Sequence, residues 1–249
     1  MKIDKYFSHR YTVRKFSEKA ISDTEIAEML EAAMHAPTTG NMQLYSVVIS
    51  RAGEQRQALE AAHFNQPAST GAPVLLTFCA DFNRFVRWCE LSEATPGFDN
   101  LQSLLSATFD ATILAQQFVT IAEQAGMGTC YLGTTSYNAG DIAQILNLPR
   151  RVIPVTTIAL GWPEGEGSAS ERLPVESIIH NEKYQDYSDE AIRKAYHEID
   201  SNPANKVFIE ENHKKTLAQV FTDVRYPLSN NEAFSKVLHE YLKDNGYEI

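Results

Sequence analysis

Arg10 and Arg14 bracket Tyr11, Thr12 and Val13 near the start of the chain. Guanidinium groups bind phosphate or carboxylate oxygens through paired, charge-assisted donors. Four residues apart around a threonine, they could hold one phosphate or two separate acceptors. The spacing fits equally well a solvated basic loop, or ion pairs to an acidic surface. A second polar cluster comes at Thr38, Thr39, Gly40, Asn41 and Gln43. Its hydroxyls and amides both donate and accept, as a pyrimidine-like edge requires, and Gly40 permits close backbone approach. Taken as structure alone, the cluster is a loop between a helix and a strand. Tyr131, Leu132, Gly133 and Thr134 end a short β-rich run, where Gly133 could let a flat ring lie on the backbone. A plain strand-to-loop glycine fits that run as well. Arg172, beyond a flexible loop, could be a third cation or an ordinary exposed arginine. Gln66, before Pro67, carries no signal by itself.

What is missing narrows the chemistry. The chain has no GxSxG elbow, HExxH helix, CxxC pair or Walker loop, and no carboxylate couple stands out. No metal site is expected. The nearest approach to a dinucleotide fingerprint, Gly126-Met127-Gly128, follows a helical pattern and has Tyr131 where a third glycine belongs. A cofactor that carries its own reactive atom would account for this silence, with the protein supplying position and electrostatics. The formal net charge of −10 argues against a nucleic-acid partner. Cys79, Cys89 and Cys130 are scattered among apolar neighbours and read as buried thiols.

These residues need elements to hold them. At 249 residues and 43% hydrophobic, the chain suits one large domain or a domain with an appendage. Residues 2–9 read as a short amphipathic helix and residues 10–16 as extended or loop. Ser22 with Glu25 is a capping box, and Ile26, Met29, Leu30 and Ala33 follow at helical spacing until Pro37 stops them. Residues 44–50, 74–81, 129–134 and 152–162 read as strands. Helices are expected over 54–63, 83–93 and 138–146, and the longest, over 100–125, is apolar on more than one face. The helix that opens at Asp23 is expected to bring the two polar clusters together. After Trp162 the composition turns polar, and further helices are expected near 188–198 and 229–244. The division is a core over 1–171 and a helical extension over 172–249, packed on the core or on a partner subunit. The N-terminus is too polar for a signal peptide, and no apolar run reaches the ~20 residues of a membrane span. A cytoplasmic protein is expected.

RYTVRKF, HAPTTGNMQLYSVVI, EQAGMGTCYLGT, LNLP and VIPVTTIALGWP, in this order, resemble the FMN-dependent nitroreductase family. The likeness is greatest to the branch of NADPH-dependent oxygen-insensitive nitroreductases and flavin reductases, which also carries the motif seen here as SERLPVESIIHNEKYQ. The resemblance implies an α+β three-layer sandwich, a mixed β-sheet flanked by helices, with a helical C-terminal extension. It implies a homodimer with FMN at the interface, NAD(P)H as electron donor, and a small-molecule acceptor such as a nitroaromatic or quinone. Reduction of free flavin is the alternative reaction, and a non-catalytic flavin-binding protein the alternative of another class. By position, Arg10, Tyr11, Thr12 and Arg14 match the first FMN segment, with Arg10 at the phosphate and Arg14 near the pyrimidine. Thr38 and Thr39 match a pair of serines, with Asn41 and Gln43 in the same loop. Gln66 matches the amide that reads the pyrimidine edge, Tyr131, Leu132, Gly133 and Thr134 a strand end beside the ring, and Arg172 a late phosphate ligand. Two departures stand out. Ser170 replaces a lysine, which weakens the phosphate cluster, and Thr134 replaces a second glycine, which is expected to narrow the space near the ring. Arg225 and Lys214 are candidates for reading a nicotinamide 2′-phosphate.

Overall fold

The computed structural model describes residues 4–249. The chain divides into two compact units, residues 1–168 with 234–249, and residues 169–233. The last sixteen residues thus group with the first unit instead of the extension expected to run from 172 to the end.

In the first unit, α1 is the single turn Tyr6–His9; the expected helix began at residue 2, and its first two residues lie outside the described part. Helix α2 (Asp23–Ala33) opens on the expected capping box, the Ser22 hydroxyl accepting from Glu25 N–H while the Glu25 carboxylate accepts from Ser22 N–H. Strand β1 (Tyr45–Ser50), helix α3 (Glu54–Ala62), the short α4 (Pro67–Gly71), β2 (Val74–Asp81) and α5 (Asn83–Leu91) follow. Of these, α4 was not anticipated; Pro67 sits at its first position, where its missing N–H costs nothing. Then come α6 (Leu101–Gln124), β3 (Gly128–Leu132), α7 (Ala139–Ile145) and β4 (Val152–Gly161).

The four strands pair in the order β1-β2-β4-β3. Every pairing is antiparallel, where a mixed sheet was expected. The reason is topological: β2 and β3 run the same way, but β4 lies between them and runs against both. All eight residues of β2 are buried, because both faces of the sheet are covered. Val74, Leu76 and Phe78 face α2 and α6 through Ile26, Met29, Leu114 and Phe118. Leu75 faces the other way, toward Leu59 of α3 and Ile142 of α7. This alternation makes three layers. Pro154 is accommodated inside β4 where the register slips between Phe78 and Cys79. The three cysteines are free and buried.

By length and composition alone, α6 is long and apolar enough to cross a membrane. Polar residues interrupt it, so no unbroken apolar run marks it in the sequence. Ala107, Ala111, Leu114, Ala115, Phe118 and Ala122 bury one face of α6 in the core. Leu101, Leu105, Phe109 and Ile113, each four residues after the last, form a second apolar stripe that is exposed.

The second unit holds α8 (Asp189–Ser201), α9 (Pro203–Glu211) and α10 (Leu217–Val220), followed by a π-helical turn, Phe221–Arg225. Helix α11 (Leu228–Asp244) begins there and enters the first unit at Phe234. Within the first unit, Leu242 and Tyr247 close a third apolar cluster with Leu44, Phe82 and Ile153.

Candidate active site

The segment after α1 lies against β3. Val13 N–H donates to Thr129 O at 3.0 Å. At Gly128 any Cβ would stand 2.6 Å from the Val13 side chain, so only glycine lets these two backbones approach. Arg10, Tyr11, Val13, Glu123 and Gly128 line a cavity of about 250 Å³.

Arg10 itself is engaged. Its Nε and Nη2 donate to the two oxygens of Glu123 at 2.9 and 2.7 Å, a bidentate pair. The Tyr6 hydroxyl donates to Glu123 Oε2 at 2.7 Å, and the Thr129 hydroxyl to Oε1. Burial raises the Glu123 carboxyl pKa, but the bonds from Arg10, Thr129 and Tyr6 outweigh it and hold it below the usual range. Burial, then the bond to Glu123, pushes Tyr6 up to about 12. The resemblance implies a phosphate role for Arg10; in the structure its guanidinium answers a carboxylate 113 residues away, the ion pair that the spacing also allows. Arg14, by contrast, is exposed and has no ion pair among the described residues.

The second polar cluster is held elsewhere. Asp110, buried on α6, accepts from Thr39 N–H and the Thr39 hydroxyl at 2.8 and 2.9 Å, and from Leu44 N–H at 3.2 Å. Between these anchors, Gly40, Asn41 and Gln43 have φ of +55°, +56° and +53°. A left-handed glutamine is uncommon and marks a segment held against its own preference. Arg84 of α5 donates to Tyr45 O at 3.0 Å and also to Gln43 O, closing the loop from the other side.

Asp110 and Glu123 are thirteen residues apart on one helix, about 20 Å at 1.5 Å per residue. The cavity lined by Gln43 and Arg84, of about 550 Å³, shares no residue with the one lined by Arg10. So α2 does not bring the two clusters together as expected; each is tied to its own point on α6. Sequence reasoning missed both anchors, because an acid inside an amphipathic helix looks like any solvated charge.

A third group gathers where β3 ends. Gln66 Nε2 lies 3.5 Å from Thr134 Oγ1, and His63 Nδ1 lies 2.8 Å from the same oxygen. Thr134 is buried. A Cβ added at Gly133 would meet no protein atom within 4 Å, leaving its backbone facing open space. Arg56, on α3, donates to Ala72 O at 2.8 Å and pairs with Glu60 at 3.1 Å, fixing α4 behind Gln66. Arg172 belongs to the second unit, where its Nη1 donates to Ser170 O and Glu171 O at 3.0 and 2.8 Å. In that unit Lys214 pairs with Asp223 at 2.9 Å, and Arg225 lies 4.9 Å from the centre of the Phe208 ring.

Burial, reinforced by the Arg56 charge, pushes His63 from 6.5 down to about 4. Unfolding therefore takes up a proton between those values, which lowers stability as pH falls through that window and leaves it intact above 6.5. The limit is about 3 kcal/mol. The melting temperature of the wild type should fall more steeply from pH 6.5 to 4 than that of His63→Gln; equal slopes would contradict the assignment.

Residues 8–162 match the nitroreductase family. The chain belongs to that family. A Staphylococcus saprophyticus NADPH-dependent oxidoreductase is 32% identical over 185 residues, 73% of each chain. A Bacillus subtilis FMN reductase [NAD(P)H] is 28% identical and aligns over 97% of this chain and 95% of its own length. A solved Bacteroides fragilis structure is 47% identical, with a TM-score of 0.96 over 99% of this chain and 100% of that one. Among nitroreductases, then, this chain shows the three-layer fold.

Proposed function

We propose that this chain is an FMN-dependent oxidoreductase that passes hydride from NAD(P)H to a small electron acceptor such as a nitroaromatic or quinone. The observation that carries this reading is the Gln66–Thr134–Gly133 edge, an amide beside an open glycine backbone, in a chain of the nitroreductase family. The donor set fits FMN: Gln66, Tyr131, Leu132, Gly133 and Thr134 at the ring, with Arg14 as a guanidinium that has no ion pair among the described residues. When bound, FMN supplies a two-electron relay, reduced by NAD(P)H and reoxidised by the acceptor in ping-pong order. Arg14 brings a fixed positive charge to the pyrimidine end, where negative charge develops on reduction. Tyr11 and Thr12 flank it, and Arg10, steadied by Glu123, holds the segment in place beside β3. The open strand end leaves room for flat acceptors of several kinds.

A homodimer completes the site. Two observations support it: the exposed stripe Leu101, Leu105, Phe109 and Ile113 along α6, and the separate anchoring of the two polar clusters. Thr38, Thr39, Asn41 and Gln43 of one subunit would then serve the FMN held by Arg14 and Gln66 of the other. Three free buried thiols suit a reducing, cytoplasmic setting. A relative named FMN reductase matches nearly end to end, so free flavin as acceptor is the second reading.

The test is the visible spectrum of the purified protein, followed by anaerobic NADPH and, separately, NADH. A yellow protein bleached by either supports the proposal. A yellow protein that neither bleaches is a flavin-binding protein without turnover, and a colourless one that ignores added FMN overturns the reading. A higher rate with free FMN than with nitro compounds selects the second reading. Arg14→Ala should weaken FMN binding or slow reduction by roughly ten- to hundredfold; retention of FMN with wild-type reduction rates would remove Arg14 from the site.

A further inference from the structure

We infer that His63 is a positioning residue, acting through the Thr134 hydroxyl to fix which end of the Gln66 amide faces the flavin. The inference rests on the proposed flavin reading of this site.

His63 caps the C-terminal end of α3 and is fully buried. Its Nδ1 is 2.8 Å from Thr134 Oγ1, and Gln66 Nε2 is 3.5 Å from that oxygen. Its Nε2 is buried without a partner. Burial and the Arg56 charge keep the ring neutral near pH 7, so one nitrogen carries hydrogen and the other a lone pair. If Nδ1 carried the hydrogen, it and Gln66 would both donate to Thr134. The Thr134 hydrogen would then lack an acceptor and the His63 Nε2 lone pair a donor. With Nδ1 bare, Gln66 donates to Thr134, Thr134 donates to His63, and only the Nε2 hydrogen is left over. With Gln66 Nε2 turned toward Thr134, as the structure has it, the second arrangement strands fewer atoms, and the relay runs from Gln66 through Thr134 to His63.

That direction has a consequence at the ligand. One hydrogen of Gln66 Nε2 is committed to Thr134, so Oε1 is left as an acceptor for the cofactor. An acceptor oxygen there selects an edge bearing an N–H, as the imide of the flavin pyrimidine does. The frame that holds the relay is rigid. Asn138 donates to Ala62 O at 2.6 Å, tying the far side of the Thr134 turn to the residue before His63. Arg56 secures α4 on the near side. Between them, Phe64 and Asn65 have φ of +57° and +50°, a turn that brings His63 and Gln66 to the same hydroxyl.

The experiment is titration of apo-protein with FMN and with N3-methyl-FMN, which lacks the donor. Binding is read by flavin fluorescence, with thermal melts confirming that each variant folds. Wild type should prefer FMN. Thr134→Val, close in volume but without the hydroxyl, should weaken FMN about tenfold, leave N3-methyl-FMN unchanged, and so shrink the preference about tenfold. Thr134→Ser should restore it, and His63→Phe should behave as Thr134→Val does. An undiminished preference in Thr134→Val overturns the positioning role. If the preference persists there but falls in Gln66→Ala, Gln66 reads the flavin without the relay and the inference alone fails. If wild type binds neither flavin, the flavin reading fails and the inference with it.

Discussion

Asp110→Ala is expected to lower the melting temperature by about 10 °C and to yield protein that loses FMN on purification. Asp110 is buried on α6 and accepts three hydrogen bonds, two from Thr39 and one from Leu44 N–H. Bonds to a charged acceptor contribute about 1.5–3 kcal/mol each, and removing the acceptor leaves two backbone donors without partners. Not all of that is lost, because the loop can rise toward water, so a net cost of about 3 kcal/mol is expected. The cofactor effect follows from strain. Gly40, Asn41 and Gln43 stay left-handed only while the ends of their segment are pinned. Asp110→Asn keeps an acceptor oxygen and should fall between wild type and alanine. Melting within 2 °C of wild type, with FMN retained, would show that Asp110 does not hold the loop.

In the proposed homodimer, Phe109→Glu is expected to convert the dimer to monomers and, with them, to release FMN. Phe109 adjoins Asp110 in sequence but looks the other way, and is 59% exposed in the single chain. It sits mid-stripe between Leu105 and Ile113. Burying a phenylalanine against a partner contributes about 2–3 kcal/mol, and a two-fold interface counts the substitution twice. Glutamate also adds like charge to a chain of net charge −10. The dimer dissociation constant should therefore rise more than a thousandfold, about 4 kcal/mol. Sedimentation velocity and the flavin absorbance of the separated species check both halves. A variant that remains dimeric would move the interface off α6; a monomer that keeps FMN would show that one chain completes the site.

The two substitutions mark where sequence reading stops. That α6 is a long helix with an apolar surface wider than one face is legible from residues three and four apart, which are neighbours on any helix. Which part of that surface meets the sheet, and which is left exposed, depends on how β2, β4 and α2 pack. The charges behave likewise. Arg10 and Arg14 look equivalent in RYTVRKF, yet only Arg10 lies beside the far end of α6, where Glu123 takes it. His63 gives no signal at all until α3 and the end of β3 are brought side by side.

By itself the sequence determined most elements of the first unit, through local rules: the Ser22–Glu25 capping box, the largely apolar run VLLTFCAD, and the burial of three thiols. It also carried the family, through motifs whose order survives without any knowledge of contacts. Only the tertiary structure decided the antiparallel sheet, the partner of Arg10, the buried acid under Thr39, and the relay from His63 through Thr134 toward Gln66. Those are pairings between residues as far apart in the chain as 10 and 123. Local propensity reaches a few residues; which distant polar groups meet is set by chain closure around a common core, and is fixed only when that core forms.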